Sequence, residues 1–264
     1  MTRVRTLVAK ELLDLRRNRA ALLPVAIVTL VSLALPLTIV ILVPMATHQP
    51  LADDNDLVRL SAAVGVRGDL TSEARVQLFL FHQFLMLFLL TPITGAMALA
   101  SHSIVGEKQA RTLEPLLATP ISTAELLVAK VLGALLPTLA ISLAGLAIYF
   151  AAIVAFAAPG VIGAMVSART ALLILVIGPA SALVSLQAAL VISSRVNDAR
   201  TAQQFGVLII LPLAALLVAQ FTGRLWLSAG TLALIGLGLI GLWLLLTIVS
   251  AVVFERESIL TRWR

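Results

Sequence analysis

The chain has 264 residues, 60% of them hydrophobic and only 12% charged, and its mean hydropathy is +1.07. A soluble domain carries about 25% charged and 45–50% apolar residues, so this composition excludes a water-soluble globular domain and describes a membrane protein. The net charge of +6 does not mark a nucleic-acid surface, because no basic patch remains once the apolar stretches are set aside, and with no cysteine there is no disulfide, thiolate nucleophile or Cys-based metal site.

Residues 1–19 form the first expected element, a basic amphipathic helix. Val4, Leu7, Val8, Leu12 and Leu15 share one face, against Arg3, Arg5, Lys10, Arg16, Arg17 and Arg19. A helix of this pattern lies in the headgroup layer of a bilayer. The apolar run that follows is too long for a secretory signal and has no small-x-small cleavage site.

Charge-poor stretches then predict membrane spans at 21–43, 77–100, 131–156, 170–194, 203–221 and 230–253. Crossing about 30 Å of hydrocarbon takes roughly 20 helical residues. Pro36, Pro92, Pro137, Pro179 and Pro212 fall inside the first five and predict kinks or locally opened helices, tolerable where neighbouring helices cover the freed carbonyls. The last carries Gly230, Gly236, Gly238 and Gly241, which permit close helix approach. Residues 44–76 form the longest loop, with Asp53, Asp54, Asp56, Asp69 and Glu73. Carboxylates are hard-cation ligands, yet an acidic loop is ordinarily just solvated, and solvation is the expectation here. His82 and Gln83 lie within the second span, where a polar group is a functional candidate by default. Interhelical hydrogen bonding is the competing explanation for them, as for Gln187 and for Gln203-Gln204.

One polar stretch, 106–130, interrupts the apolar pattern. Glu107, Lys108, Arg111, Glu114, Glu125 and Lys130 keep it out of the hydrocarbon, since a charge at the centre of a membrane helix costs at least about 2.5 kcal/mol. Leu113, Leu116 and Leu117 have the i, i+3, i+4 spacing of one helical face. Pro115 suits a first turn, and Pro120 ends the piece. Ser122-Thr123-Ala124-Glu125 matches a capping box that starts a second helix. A short amphipathic helix between two spans is either a docking knob for a partner or an interfacial helix whose leucines dip into lipid.

Gly106-Glu107-Lys108, Arg111-Thr112-Leu113-Glu114, Leu116-Leu117, Thr119-Pro120-Ile121-Ser122 and Glu125-Leu126-Leu127 to Lys130 resemble the signature of ABC type-2 permeases, the membrane subunits of ATP-binding-cassette transporters. The resemblance implies an all-α, polytopic fold that makes the whole of 1–264 one permease domain. It has six spans, an N-terminal elbow helix and a cytoplasmic coupling helix within 106–130. It implies an exporter worked by two separate ATPase subunits, with a second permease copy, a homodimer, completing the pathway. ATP and Mg would be bound by the partner ATPase and no cofactor by this chain. Glu107, Arg111, Leu113, Glu114, Leu116, Leu117, Thr119 and Pro120 are the residues expected to couple to the ATPase. The family's use of the second span as pathway makes His82, Gln83 and Thr94 candidates there.

With six spans, both ends lie on one side. That side holds fourteen of the 19 Lys and Arg, leaving Arg59, Arg67, Arg75, Arg169 and Arg224 on the other. The positive-inside rule then places both termini and the 106–130 stretch in the cytoplasm. The abundance of Ala, Leu and Arg over Lys points to a prokaryotic plasma membrane. The sequence has no G-x-x-x-x-G-K-[S/T] for ATP phosphates, no H-E-x-x-H for zinc and no G-x-S-x-G elbow. Two other functions stand beside transport: an intramembrane enzyme, for which no catalytic pair is recognisable, and a sensor or assembly factor with a permease-like fold.

Overall fold

The computed structural model describes residues 2–63, 70–109, 122–196, 198, 201, 204, 207–222 and 227–253. Every regular element among them is helical. Five segments, Ala21–Thr47, Ser72–Gln109, Ala124–Phe156, Ala168–Arg195 and Ala229–Val252, are long and apolar enough to cross a bilayer. The protein is therefore an all-α polytopic membrane protein.

Helix α1 (Thr2–Arg17) is separated from α2 (Arg19–Leu37) by Asn18, whose side chain accepts from the Ala21 N–H at 3.2 Å and so caps α2. The rod continues through a π turn (Thr38–Leu42), just after Pro36, into α3 (Val43–Thr47). Helix α4 (Asn55–Ala63) lies in the acidic loop. The second rod is α5 (Ser72–Phe88) and α6 (Leu90–Gln109), broken at Leu89. Its cause is local: Pro92 has no N–H to give the Phe88 carbonyl, and the Leu89 N–H turns back to Met86 O at 3.1 Å. The third rod is α7 (Thr123–Phe156), which absorbs Pro137 without a break. It starts from the capping box read in the sequence, with the Ser122 N–H donating to Glu125 Oε2 at 2.9 Å and the Glu125 N–H to Ser122 Oγ at 3.2 Å. After α8 (Val161–Met165) comes α9 (Ala168–Leu172), then a π turn (Leu173–Ile177) ahead of Pro179, then α10 (Gly178–Arg195). Helix α11 (Val207–Phe221) is described over 15 residues, fewer than a span needs. Helix α12 (Ala229–Val253) closes the described chain.

The α5–α6 rod is the axis. Of its most apolar window 83% is buried inside the chain, against 11% for α12. This explains its sequence: an axis surrounded by protein can carry Gln77, His82, Gln83, Thr91 and Ser101, all buried. Helices that face lipid cannot hide such groups. The core is two apolar layers stacked along the axis. One holds Val40, Phe79, Phe81, Leu85, Tyr149, Ile153, Leu173 and Ile177. The other holds Ala21, Ala96, Leu99, Ile104, Ala134, Ala182, Leu186 and Leu190. Each rod passes from one layer to the other, and the Leu89 break and the π turn before Pro179 fall at the joint.

Neutral hydrogen bonds tie the helices within the layers. Tyr149 donates to Phe81 O at 2.6 Å, with the two rings edge to face. Gln187 donates to Thr247 Oγ1 at 3.1 Å and accepts from Ser250 at 2.9 Å, which fixes α10 to α12. In the loop the carboxylates serve as caps. Asp54 accepts from the N–H groups of Asp56 and Leu57, and Glu73 accepts from the Ala52 N–H and from Gln77. No cluster of three metal-type ligands occurs among the described residues.

Helix α1 packs flat on the start of α7, where Gly133 sits. A Cβ added at Gly133 would come within 2.6 Å of Glu11 Cβ, whereas one at Gly238 would meet nothing within 4 Å. Gly133→Leu should therefore cost about 1–3 kcal/mol by overpacking. It should lower the thermal unfolding midpoint in detergent, while Gly238→Leu leaves it unchanged.

Candidate functional site

The last two turns of α6 carry Ser103, Glu107 and Lys108, and these three residues hold three other helices. Glu107 is 6% exposed and Lys130, on α7, is 1% exposed. Lys130 Nζ lies 2.7 Å from Glu107 Oε2, and Lys10 Nζ, from α1, lies 2.6 Å from Glu107 Oε1. Glu11 on α1 completes the cluster. It is 3.3 Å from Lys130 and 3.7 Å from Lys10, and it accepts from Ser103 Oγ at 2.8 Å. Ser103 in turn accepts from Lys130 at 3.0 Å. Asp14, 3.5 Å from Lys10, lies at the solvent edge.

The arrangement follows from spacing. Ser103 and Glu107 are i, i+4 on α6, so both face the same side. Lys130 is two turns into α7, where the capping box has already set the helix direction. Lys10 and Glu11 are adjacent on α1, so together they span the seam between α6 and α7. Two ammonium and two carboxylate groups alternate, and each buried charge has an opposite neighbour. That is the condition under which burial of charge is tolerated at all. Burial alone would lower the pKa of Lys10. The hydrogen bond and charge of Glu107, with Glu11 and Asp14, outweigh it and hold Lys10 above its ordinary 10.5.

Lys108 points the other way. Its ammonium donates to the carbonyls of Ser193, Ser194 and Val196 at 3.1, 2.9 and 3.0 Å. Three donors meet three acceptors at the C-terminus of α10, where carbonyls lack intrahelical partners and the helix dipole favours a cation. One helix end thus joins α1, α7 and α10.

The other expected residues do not converge with it. His82 is held by Leu78 O at 3.0 Å and by Thr170 Oγ1 at 3.3 Å. Gln83 is wholly buried, and its amide has no hydrogen-bond partner among the described residues. Thr94 bonds back to Leu90 O at 2.7 Å. Gln83 and Thr94 are eleven positions apart across the Leu89 break, about 16 Å along the axis, so they do not form one site. Arg111, Leu113, Glu114, Leu116, Leu117, Thr119 and Pro120 lie outside the described residues, as do Asp69 and Gln203. What sequence reasoning missed is the cluster's other half: Lys10 reads only as part of the basic face of the N-terminal helix, no pattern singles out Glu11 or Ser103, and Lys108 has no assigned role. The available signal was Lys130, a cation at the head of an apolar run that needed an anion somewhere.

The charge cluster at one end of the polytopic bundle joins the amphipathic N-terminal helix to the polar interruption between spans. The family model for the ABC-2 family transporter protein matches residues 5–256, almost the whole chain. The chain belongs to the ABC-2 transporter family. It is a multi-pass membrane permease subunit of an ABC transporter, from a family that works with ATPase subunits. No curated protein matches it.

In this ABC-2 permease the cluster should behave as a buried ion network. Removing one partner of a buried pair costs about 3–5 kcal/mol, so Lys130→Met should destabilise strongly in thermal or denaturant unfolding. Lys10→Met should cost far less, because the Lys10 side chain is 42% exposed. Lys130→Met combined with Glu107→Gln should recover part of the loss. Additive losses in that cycle would mean the pair is not coupled. Because Lys10 is held above its unfolded pKa, its contribution is complete below about pH 10.5 and fades as pH rises through the folded value. The wild type should therefore lose stability over that alkaline window more than Lys10→Met does.

Proposed function

We propose that this permease is half of an exporter driven by two separate cytoplasmic ATPase subunits, and that a second copy of the chain completes the pathway. Residues 203–221 supply a sixth span, and both termini and the 106–130 stretch face the cytoplasm. ATP and Mg bind to the ATPase subunits, and this chain contributes no nucleotide site. Closure of the ATPase dimer on ATP pushes on the short helix around Leu113, Leu116 and Leu117. The spans then alternate between inward- and outward-facing states. Arg111 precedes the leucines and Glu114 lies among them, Thr119 and Pro120 set the turn after them, and His82, Gln83 and Thr94 lie along the pathway rod.

The observation that supports this reading best is the placement of the charge cluster. Glu107 lies just before the 110–121 stretch and Lys130 just after it, and the two are paired in a buried site together with the N-terminal helix. A force on the stretch between them therefore loads α6, α7 and α1 together. Glu107 in this reading couples by holding that joint, and the leucines make the contact.

Burying each leucine is worth roughly 1.5–3 kcal/mol. Leu116→Asp with Leu117→Asp should thus weaken ATPase binding by at least about a hundredfold, measured by pull-down at matched expression. Equal recovery of the ATPase, with normal substrate-stimulated ATP hydrolysis, would show that this helix is not the docking element. A cysteine at Asp54 should react with an impermeant thiol reagent in intact cells and one at Gln109 should not. Labelling at Gln109 from outside would invert the orientation.

A further inference from the structure

A cavity of about 160 Å³ lies at the joint between the two core layers, bounded by α5, α6, α7, the π turn and the start of α10. Its walls include Leu85, Phe88, Pro92, Leu146, Leu173 and Pro179, so both helix breaks face it. Ser142 supplies the single polar side chain of the lining, and its buried hydroxyl has no partner among the described residues. At the rim Leu143 is 60% exposed and Leu175 is 71% exposed. The opening is therefore sideways, onto the faces that meet lipid.

Depth decides what can enter. Residues 85–92 are the midpoint of the Ser72–Gln109 segment, and 139–146 the midpoint of Ala124–Phe156. The middle of a 30 Å hydrocarbon core is about 15 Å from either headgroup layer. Water needs two to four polar partners to stay in a cavity, and one hydroxyl does not supply them. An apolar cavity of about 150 Å³ stays dry and takes a group the size of benzene. At this depth the only abundant group of that kind is lipid hydrocarbon.

We propose that the cavity is a binding site for the terminal part of a bilayer lipid's acyl chain. The headgroup stays at the surface and takes no part in recognition. Because the chain leaves one apolar environment for another, the attraction comes from packing against the walls rather than from the hydrophobic effect. The bound segment fills the space that the two helix breaks open between the core layers.

The test uses the full chain in lipid nanodiscs containing a phosphatidylcholine with a diazirine near the end of one chain. A second phosphatidylcholine carries the diazirine close to the glycerol. After illumination, labelled residues are mapped by peptide mass spectrometry. The chain-end probe should label the cavity walls at least about fivefold more than the exposed Leu234 and Leu237 of α12, the signature of a modest preference in binding free energy. The glycerol-proximal probe should show no such enrichment. Ser142→Leu, which fills the cavity, should abolish the enrichment and leave α12 labelling unchanged. Should that variant fail to fold, Leu143→Trp, at an exposed rim position, closes the entrance without touching the core and should give the same loss. Labelling that simply follows exposure, or enrichment that survives closure of the rim, overturns the proposal.

Discussion

The Glu107 carboxylate is buried between two ammonium groups, and the lower half of the bundle depends on it. Its oxygens lie 2.6 Å from Lys10 and 2.7 Å from Lys130. Lys130, at 1% exposure, is tolerable only with an anion in place. Three helices that meet at a membrane surface have little else to orient them there, because apolar side chains pack on lipid as readily as on each other. The charges set which face of α1 meets which faces of α6 and α7. Gly133 then lets the backbones approach closely enough for the contacts to form.

The class, the rods and several local devices were legible in the sequence because they depend on neighbours along the chain. Composition marks a membrane protein, and apolar length marks the segments that cross. The Ser122–Glu125 capping box needs only four residues, and it is present with both of its hydrogen bonds. Gln187 was open between function and interhelical bonding, and it bonds to Thr247 and Ser250. The charge cluster was not legible, because Glu107 and its partners are 97 and 23 positions apart and pairing across that distance leaves no periodicity. Lys108 was hidden for a related reason. Its partners are backbone carbonyls at the end of α10, which any sequence would supply. The breaks at Leu89 and Leu173–Ile177 follow from Pro92 and Pro179, whereas α7 runs through Pro137 as a continuous helix. Whether a proline opens a helix depends on what packs around the freed carbonyl.

The two ends of the bundle are held by different chemistry. At one end, charges with definite partners fix α1, α6, α7 and α10 to one another. At the other, most contacts are neutral, Tyr149 to Phe81, Gln77 to Ala158 N–H, His82 to Thr170, and the buried Arg169 of α9, near His82, is the exception. Neutral interhelical hydrogen bonds in membranes average only about 0.6 kcal/mol. Those neutral contacts can rearrange at low cost by exchanging one partner for another. The charged end cannot, since each lost pair strands an ion.

These differences have a geometric consequence. The two core layers are separate clusters, and the α5–α6 rod and the α9–α10 rod both lose regular helical bonding where they pass between them. A helix bends most easily where its ladder is already interrupted. Any displacement of the charged end relative to the other would concentrate at Leu89 and at the π turn. Both lie on the wall of one cavity, so a bend there changes the cavity's volume. A charge-locked foot, a compliant joint at mid-depth and an upper layer tied mostly by neutral contacts are the parts a bundle needs to convert a push at one end into a rearrangement at the other. The sequence builds them from one buried carboxylate, two prolines and the absence of charge above the joint on the central rod until Arg75.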